Sequence, residues 1–372
     1  MNRGLQLRGG KETDMRLLDS ELYQQDLAKV SGLELPWEKL QGASVMISGA
    51  TGMIGSTLID VLMKKNRERG LCCSVIALGR SKDKAAGRFS EYTDAGLFCF
   101  VQCDIDDKDS LKAALGDVQR VDYVFHAASN THPVAYANDP IGTVVTNIIG
   151  LNNLLEFASG HECRRFLFAS SNEIYGQNRG DAELFDESYC GYIDCNTMRA
   201  GYPESKRAGE ALCQAYIAQK GLDVVIPRFT RSFGPTLLRT DTKALSQFLH
   251  KGAAGEDIIL KSAGTQYFSY TYVCDAVSGL LTCLMKGECG EAYNISDVSC
   301  DVTLRDLAEM IADYTGRKVV FEIPDAVERA GYSTATKARL DSTKLQKLGW
   351  RAQFDMKTAL AHTIEILRSL EL

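Results

Sequence analysis

Tyr202 and Lys206 lie four residues apart in Gly201-Tyr-Pro-Glu-Ser-Lys-Arg207. Four residues make one helical turn, so the lysine ammonium can stand beside the phenol and favour its ionised form. A phenol that ionises near ~10 in water needs on the order of 4 kcal/mol of such help to act as a base near neutral pH. Upstream, Gly49-Ala-Thr-Gly-Met-Ile-Gly55 has the glycine spacing of a turn whose missing side chains let backbone N–H groups and a helix N-terminus approach a pyrophosphate. A tyrosine base and a dinucleotide turn in one chain point to hydride transfer to or from a nicotinamide.

The remaining candidates fall at the ends of apolar runs. In the glycine turn they are Gly49, Thr51, Gly52, Met53, Ile54 and Gly55. Arg80 follows the second run, where a carboxylate commonly receives the ribose hydroxyls of NAD; an arginine there either admits a 2′-phosphate or stacks on adenine, so NAD and NADP both remain open. Asp104 and Ile105 would meet the adenine edge, Ala127, Ala128 and Ser129 would pass along the phosphates, and Asn147 and Arg228 complete the cofactor set together with Tyr202 and Lys206. Ser170-Ser-Asn-Glu-Ile-Tyr-Gly176 ends the fifth run, so Ser171 can hold a substrate hydroxyl against the tyrosine while Asn172 and Glu173 reach the same carbon framework. Arg199, Arg231, Arg239 and Lys243 are the cationic candidates for the substrate.

Short apolar runs beginning at Val45, Ser74, Phe98, Tyr123, Phe166 and Val224 alternate with longer amphipathic stretches. That texture predicts an α/β protein with a Rossmann-type doubly wound parallel sheet. Helices are expected over 147–158, where Ile148, Leu151, Leu154, Leu155 and Ala158 line one side, and over 203–220, closed by Gly221. Residues 1–43 form an N-terminal extension with a helix over 15–30, residues 44–235 the dinucleotide-binding domain with a return segment near 270–298, and residues 236–372 mainly a smaller α/β substrate-binding cap ending in a helix over 356–370.

With 372 residues, 45% hydrophobic and 24% charged, the chain can bury one large core or two ordinary ones. A net charge of −6 argues against a nucleic-acid surface. The twelve cysteines are spread through expected strands and helices, which predicts reduced, mostly buried thiols rather than a disulfide framework. The five histidines (His126, His132, His161, His250, His362) never take an i, i+4 spacing and no Cys-x-x-Cys pair occurs, so no metal site is expected. The polar first residues and the lack of a run of eighteen apolar residues predict a cytoplasmic protein with no membrane partner.

The ordered set of glycine turn, His126-Ala-Ala loop, Ser171-Asn-Glu-Ile-Tyr-Gly176 and Tyr202-x-x-x-Lys206 resembles the extended short-chain dehydrogenase/reductase family acting on nucleotide sugars, over about residues 44 to 352. Within it the likeness is nearest to UDP-glucuronate decarboxylases, through Ala128-Ser-Asn-Thr-His-Pro-Val-Ala-Tyr-Ala-Asn-Asp-Pro140, Met198-Arg-Ala-Gly-Tyr-Pro-Glu-Ser-Lys-Arg207 and Ser232-Phe-Gly-Pro235. The resemblance implies a Ser171-Tyr202-Lys206 triad with Glu173, a nucleotide-sugar substrate, and a homodimer built from two long helices. Two positions depart from it: Arg231 stands where the family carries asparagine, and Phe268 where the decarboxylases carry arginine. A phenylalanine cannot pair with a carboxylate or diphosphate, which leaves Arg231, Arg239 or Lys243 to supply that charge. Epimerisation through a transient ketone is then the leading expectation by elimination. Decarboxylation, 4,6-dehydration, NADPH-dependent reduction of a nucleotide-linked ketose and a nicotinamide-binding sensor without turnover are its alternatives.

Overall fold

The computed structural model describes residues 16–93, 95–131, 138–322 and 336–371. Val45 and Ile47 of the first strand are buried in one apolar cluster and Met46 between them in another, so this strand is covered on both faces. Strands of that kind read as continuous apolar runs because neither face meets water. The strands of the sheet are β1 (Ser44–Ser48), β2 (Ser74–Gly79), β3 (Phe98–Gln102), β4 (Tyr123–His126), β5 (Arg165–Phe168), β6 (Ser170–Ser171) and β7 (Val224–Phe229); β3, at the edge, is the exception, with Cys99 and Gln102 exposed. An eighth strand joins them from much later in the chain; with the intervening cap strands β8 (Arg231–Phe233), β9 (Ile258–Leu260) and β10 (Tyr267–Tyr272), it is β11 (Ala292–Ile295). The order is β11-β7-β5-β4-β1-β2-β3, with β6 on β7 and every pairing parallel. The order reverses between β1 and β4, which opens a crevice at their carboxyl ends.

Helix α1 (Glu21–Ser31) starts later than the sequence pattern suggests, because Ser20 caps it by accepting from the Tyr23 N–H and the preceding Leu17–Asp19 is a 3₁₀ turn. Around the sheet follow α2 (Met53–Arg69), α3 (Lys82–Phe89) and α4 (Lys108–Ala114). Next come α5 (Pro140–Val145), joined through a π-turn at Thr146–Gly150 to α6 (Leu151–Gly160), and α7 (Gly201–Lys220). The Pro140–Gly160 run is long and apolar enough by composition to cross a membrane; its Leu151, Leu154, Leu155 and Ala158 are buried against the body of the protein. Gly221 ends α7 in the left-handed region at φ 67°.

While α9 (Val273–Lys286) returns to pack on α2 and β7 of the parallel sheet, the cap adds α8 (Ala244–Ala253), α10 (Leu304–Thr315), α11 (Thr343–Lys347) and α12 (Met356–Glu371). It also adds the short strands β12 (Asp301–Thr303), β13 (Val319–Phe321) and β14 (Lys337–Ala338). β10 is the hub of the cap sheet, pairing with β8, β12 and β14. Of the twelve free thiols six are buried, fewer than expected, and Cys72, Cys99, Cys190, Cys195 and Cys289 are exposed.

Gly209 sets how closely α7 approaches the sheet. A methyl group there would come within 2.6 Å of the Phe168 ring and 3.1 Å of Leu151 Cδ2, so the helix that carries Tyr202 and Lys206 can seat only on a bare backbone. Gly209→Ala is expected to destabilise the fold by ~1–3 kcal/mol, the usual cost of overpacking, and to lower activity with it. Denaturant midpoints check this, and an unshifted midpoint would show that α7 has slack at this point.

Candidate active site

The glycine turn leaves β1 and enters α2 under tight contact. Gly49 has φ 68°, and a Cβ on it would lie 2.7 Å from the backbone of Ala127 and Ala128. A Cβ on Gly55 would lie 2.5 Å from the Gly49 carbonyl oxygen. Only glycine fits either position. Gly52 stands at the N-cap of α2 without a side-chain cap, leaving the first-turn N–H groups to an anion. Met53 and Ile54 are partly buried against the core, and the Met53 carbonyl accepts from Thr57 and Thr236.

Across the crevice, the Ala127 N–H donates to the Ser48 carbonyl at 3.2 Å and the Ala128 N–H to Ser48 Oγ at 3.4 Å, so the β1 and β4 loops are pinned together. Ser48 Oγ also hydrogen-bonds His126 Nδ1 at 2.7 Å. Burial and the charge of Lys206 push that imidazole down to about 3, so it is neutral. Asn147, in the π-turn, donates to Ser205 Oγ at 2.8 Å. His126 Nε2 and Asn147 Oδ1 are buried with no hydrogen-bond partner among the described residues. The bare turn, the uncapped helix and these two polar atoms fit a dinucleotide laid across the switch point.

The other expected cofactor residues line the same edge with different commitments. Arg80 is exposed at the end of β2, its carbonyl held by Gln102, and Ser129 donates to the Asn130 carbonyl. Asp104 accepts from the Asp106 N–H, Ile105 is buried, and its carbonyl receives Asn153. Thr51 is partly buried in the turn. Arg228 departs from expectation: it forms a two-pronged pair with Glu210 at 2.7 and 2.9 Å and donates also to Tyr175 and to the Glu187 carbonyl. Its guanidinium is committed inside the protein, holding β7 to α7, which matches a structural support better than a cofactor contact.

Tyr202 is 8% exposed and its phenol lies near Ser171, whose Oγ accepts from the Glu173 N–H at 3.2 Å. Lys206, buried on the same face of α7, donates to the Ala169 carbonyl at 2.8 Å, and its Nζ stands 5.9 Å from the Tyr202 ring centroid. One expectation is corrected here. Burial, followed by the negative charge of Glu173, raises the Tyr202 pKa, while Ser171 and Arg199 pull against it. The ammonium expected to lower it is itself pushed down to about 7 by burial, with Cys213 and Glu210 opposing. Desolvation disfavours both charged forms and here outweighs their mutual help.

Glu173 receives Arg199 on both oxygens at 2.8 and 2.7 Å, so the acid beside the phenol arrives already paired. Asn172 is buried next to it. Lys243 pairs with Asp241 at 3.4 Å and Arg239 is exposed on the loop before α8. Arg231 lies flat on Phe268, with its guanidinium carbon 3.5 Å from the ring centroid, because β8 and β10 run side by side with Tyr270 opposite Arg231. The two positions that depart from the family pattern are therefore one stacked pair. Sequence reasoning also missed Glu210, which takes Ser170 Oγ at 2.5 Å besides Arg228; its place one turn beyond Lys206 was the available signal.

A family model described as the NAD dependent epimerase/dehydratase family matches residues 45–296. UDP-glucuronic acid decarboxylase 5 of Arabidopsis thaliana is 29% identical over 320 residues, covering 85% of this chain and 86% of that protein. A double mutant of DesIV, a dTDP-glucose 4,6-dehydratase from Streptomyces venezuelae solved with NAD, superposes with a TM-score of 0.74 at 25% identity, covering 87% of this chain and 96% of that one. UDP-glucose 4-epimerase from Thermotoga maritima, solved with UDP-glucose, gives a TM-score of 0.76 at 23% identity over 88% of this chain and all of its own, a likeness of fold. With its glycine turn, switch-point crevice and Ser171-Tyr202-Lys206 cluster, the chain belongs to the NAD(P)-dependent epimerase/dehydratase family, enzymes that modify nucleotide sugars.

Proposed function

We propose that this enzyme oxidises a ring hydroxyl of a nucleotide sugar to a transient ketone, which turns over in the site before the hydride returns to the opposite face of the same carbon, so that the net reaction is epimerisation. The observation that carries it is the buried Tyr202 phenol, beside Ser171 at a strand end and one turn from Lys206, next to a turn shaped for a dinucleotide. A bound nicotinamide supplies the hydride acceptor and, when oxidised, a positive charge. The chain's part is the proton. Tyr202 Oη faces a sugar hydroxyl that Ser171 Oγ orients, and takes its proton only where added positive charge offsets the burial that raises its pKa. Lys206 fixes the phenol's helix to the Ala169 carbonyl, and its own pKa near 7 lets it gain or lose a proton at working pH.

Decarboxylation is the second reading, and a specific observation favours it. Arg231 stacked on Phe268 puts a guanidinium beside the ring that occupies the decarboxylases' arginine position, so a uronate carboxylate would still meet a cation. The names of the curated relatives agree with a uronate substrate. The assembly read here is a homodimer. Ile141 is 77% exposed and Ile149 45% exposed on the α5–α6 run, and the neighbouring α7 turns Ala208, Ala211, Ala215 and Ala218 outward, a small-residue stripe that a second copy can approach closely.

Incubated with UDP-, TDP-, GDP- and CDP-sugars, the protein should convert one of them to a product of unchanged mass, whereas loss of carbon dioxide would establish the second reading. Tyr202→Phe should reduce turnover by roughly 10²-fold or more, the usual scale of a lost general acid–base, and near-normal turnover would remove Tyr202 from the mechanism.

Lys206 gives a stability signature. Its folded pKa of about 7 lies below the ordinary 10.5, so between those values the unfolded chain holds a proton the folded chain lacks, and its contribution to stability rises with pH. Relative to wild type, Lys206→Met should therefore be most favoured below about pH 7 and lose that advantage toward about pH 10, over a span on the order of a few kcal/mol. A pH-independent difference in urea midpoints would mean the lysine is not desolvated. Finally, Ile149→Asp should convert a dimer to monomer in light scattering, and a monomeric wild type would reject the interface outright.

A further inference from the structure

Helix α1 lies outside the matched family segment, which begins at residue 45, yet it is bonded to both halves of the molecule. Tyr23 donates to Asp60 of α2 at 2.6 Å, and Asp60 also receives Tyr92 at 2.9 Å and Arg88. Asp26, one turn on from Tyr23, faces the cap: Tyr272 donates to one of its oxygens at 2.7 Å and His362 Nδ1 of α12 lies 2.8 Å from the other. Both carboxylates are fully buried. A carboxylate removed from water must keep such partners, so each aspartate fixes what it binds.

Tyr272 is the last residue of β10 and is paired with Phe233 of β8, the two rings 5.8 Å apart. Two residues before Phe233 is Arg231, and four before Tyr272 is Phe268. The strand pair that carries the stacked cation is thus tied to α1 from behind. From in front, Thr236, just past β8, donates to the Met53 carbonyl at 3.2 Å and lies 3.0 Å from Thr57 Oγ1, both in the first turns of α2. β8 is held between the helix that follows the glycine turn and the extension that crosses behind it.

We propose that Asp26 is a positioning residue for the substrate: through Tyr272 it holds the β8–β10 pair, and with it Arg231, at a fixed distance from the glycine turn. The spacing between the site for the sugar's anionic group and the site for the dinucleotide is then set by a helix outside the family segment. This rests on the reading that Arg231 meets the substrate's anion.

The experiment uses the full-length protein with its cofactor. Tyr272→Phe keeps the ring and removes the hydroxyl; Asp26→Asn keeps the shape and removes the charge; Arg231→Ala is measured in parallel. Amide hydrogen exchange is followed over residues 231–233 and 267–272, with KM and kcat on the nucleotide sugar that the panel identifies and a dissociation constant for NAD. Losing a hydrogen bond to a charged group should speed exchange in those segments, and raise KM, by about tenfold, leaving kcat and NAD affinity within about twofold. Unchanged exchange overturns the proposal. So does faster exchange with an unmoved KM while Arg231→Ala raises KM. If Arg231→Ala itself leaves KM unmoved, the placement of the substrate on Arg231 is what fails, and the positioning role falls with it.

Discussion

The hydrogen bond from Lys206 to the Ala169 carbonyl fixes the helix that carries the phenol against the end of the sheet. An amine buried this deeply on α7 can be tolerated only where a carbonyl and nearby acids receive it, and the end of β5 offers the one while Glu210 and Cys213 weigh toward the charged form. Its reach sets where α7 crosses the sheet edge, so the phenol one turn earlier is delivered beside Ser171. Gly209, by having no side chain, lets the helix come close enough for that bond. Arg228 and Glu210 then tie the next strand to the same helix.

The electrostatics of this buried site oppose the chemistry read from the sequence. Burial raises the phenol and lowers the amine, so at neutral pH the resting pair tends toward a protonated tyrosine beside a partly neutral lysine. A site in that condition is suited to donate from the phenol, as the return of a hydride to a ketone requires, and becomes a base only when positive charge is added. The direction of proton flow is thereby tied to the charge on the cofactor's ring.

Much of the fold was legible for one reason: parallel strands covered on both faces must be continuously apolar, so the runs at Val45, Ser74, Tyr123, Phe166 and Val224 announced themselves. The glycine turn and the Tyr202–Lys206 pair were equally plain, since each follows from sequence-local geometry. What escaped notice depends on partners far along the chain. β8 and β10 are short strands some forty residues apart, so nothing in either segment foretold that Arg231 would lie on Phe268. The sequence left Arg231, Arg239 and Lys243 as equal candidates for the missing charge, and only the fold places Arg231 over the Phe268 ring. Asp26 looked like any polar residue of an amphipathic helix; its two bonds reach Tyr272 and His362. Arg228 was misjudged for the opposite reason, its position at a strand end pointing toward the cofactor when its partners lie within the protein.

The distribution of these constraints bears on what the family fold can vary. The steps common to its reactions, proton removal and hydride transfer, use groups locked by the sheet edge and α7. The cap's own strands are two to six residues long. Strands so short pair weakly by themselves and take their register from what lies behind them. Here that backing is α1 and α12, joined to β10 through the buried Asp26, while the Thr236–Met53 contact holds the end of β8 from the other side. Strands this short carry the Arg231 guanidinium over the Phe268 ring only because the pair is packed between these partners.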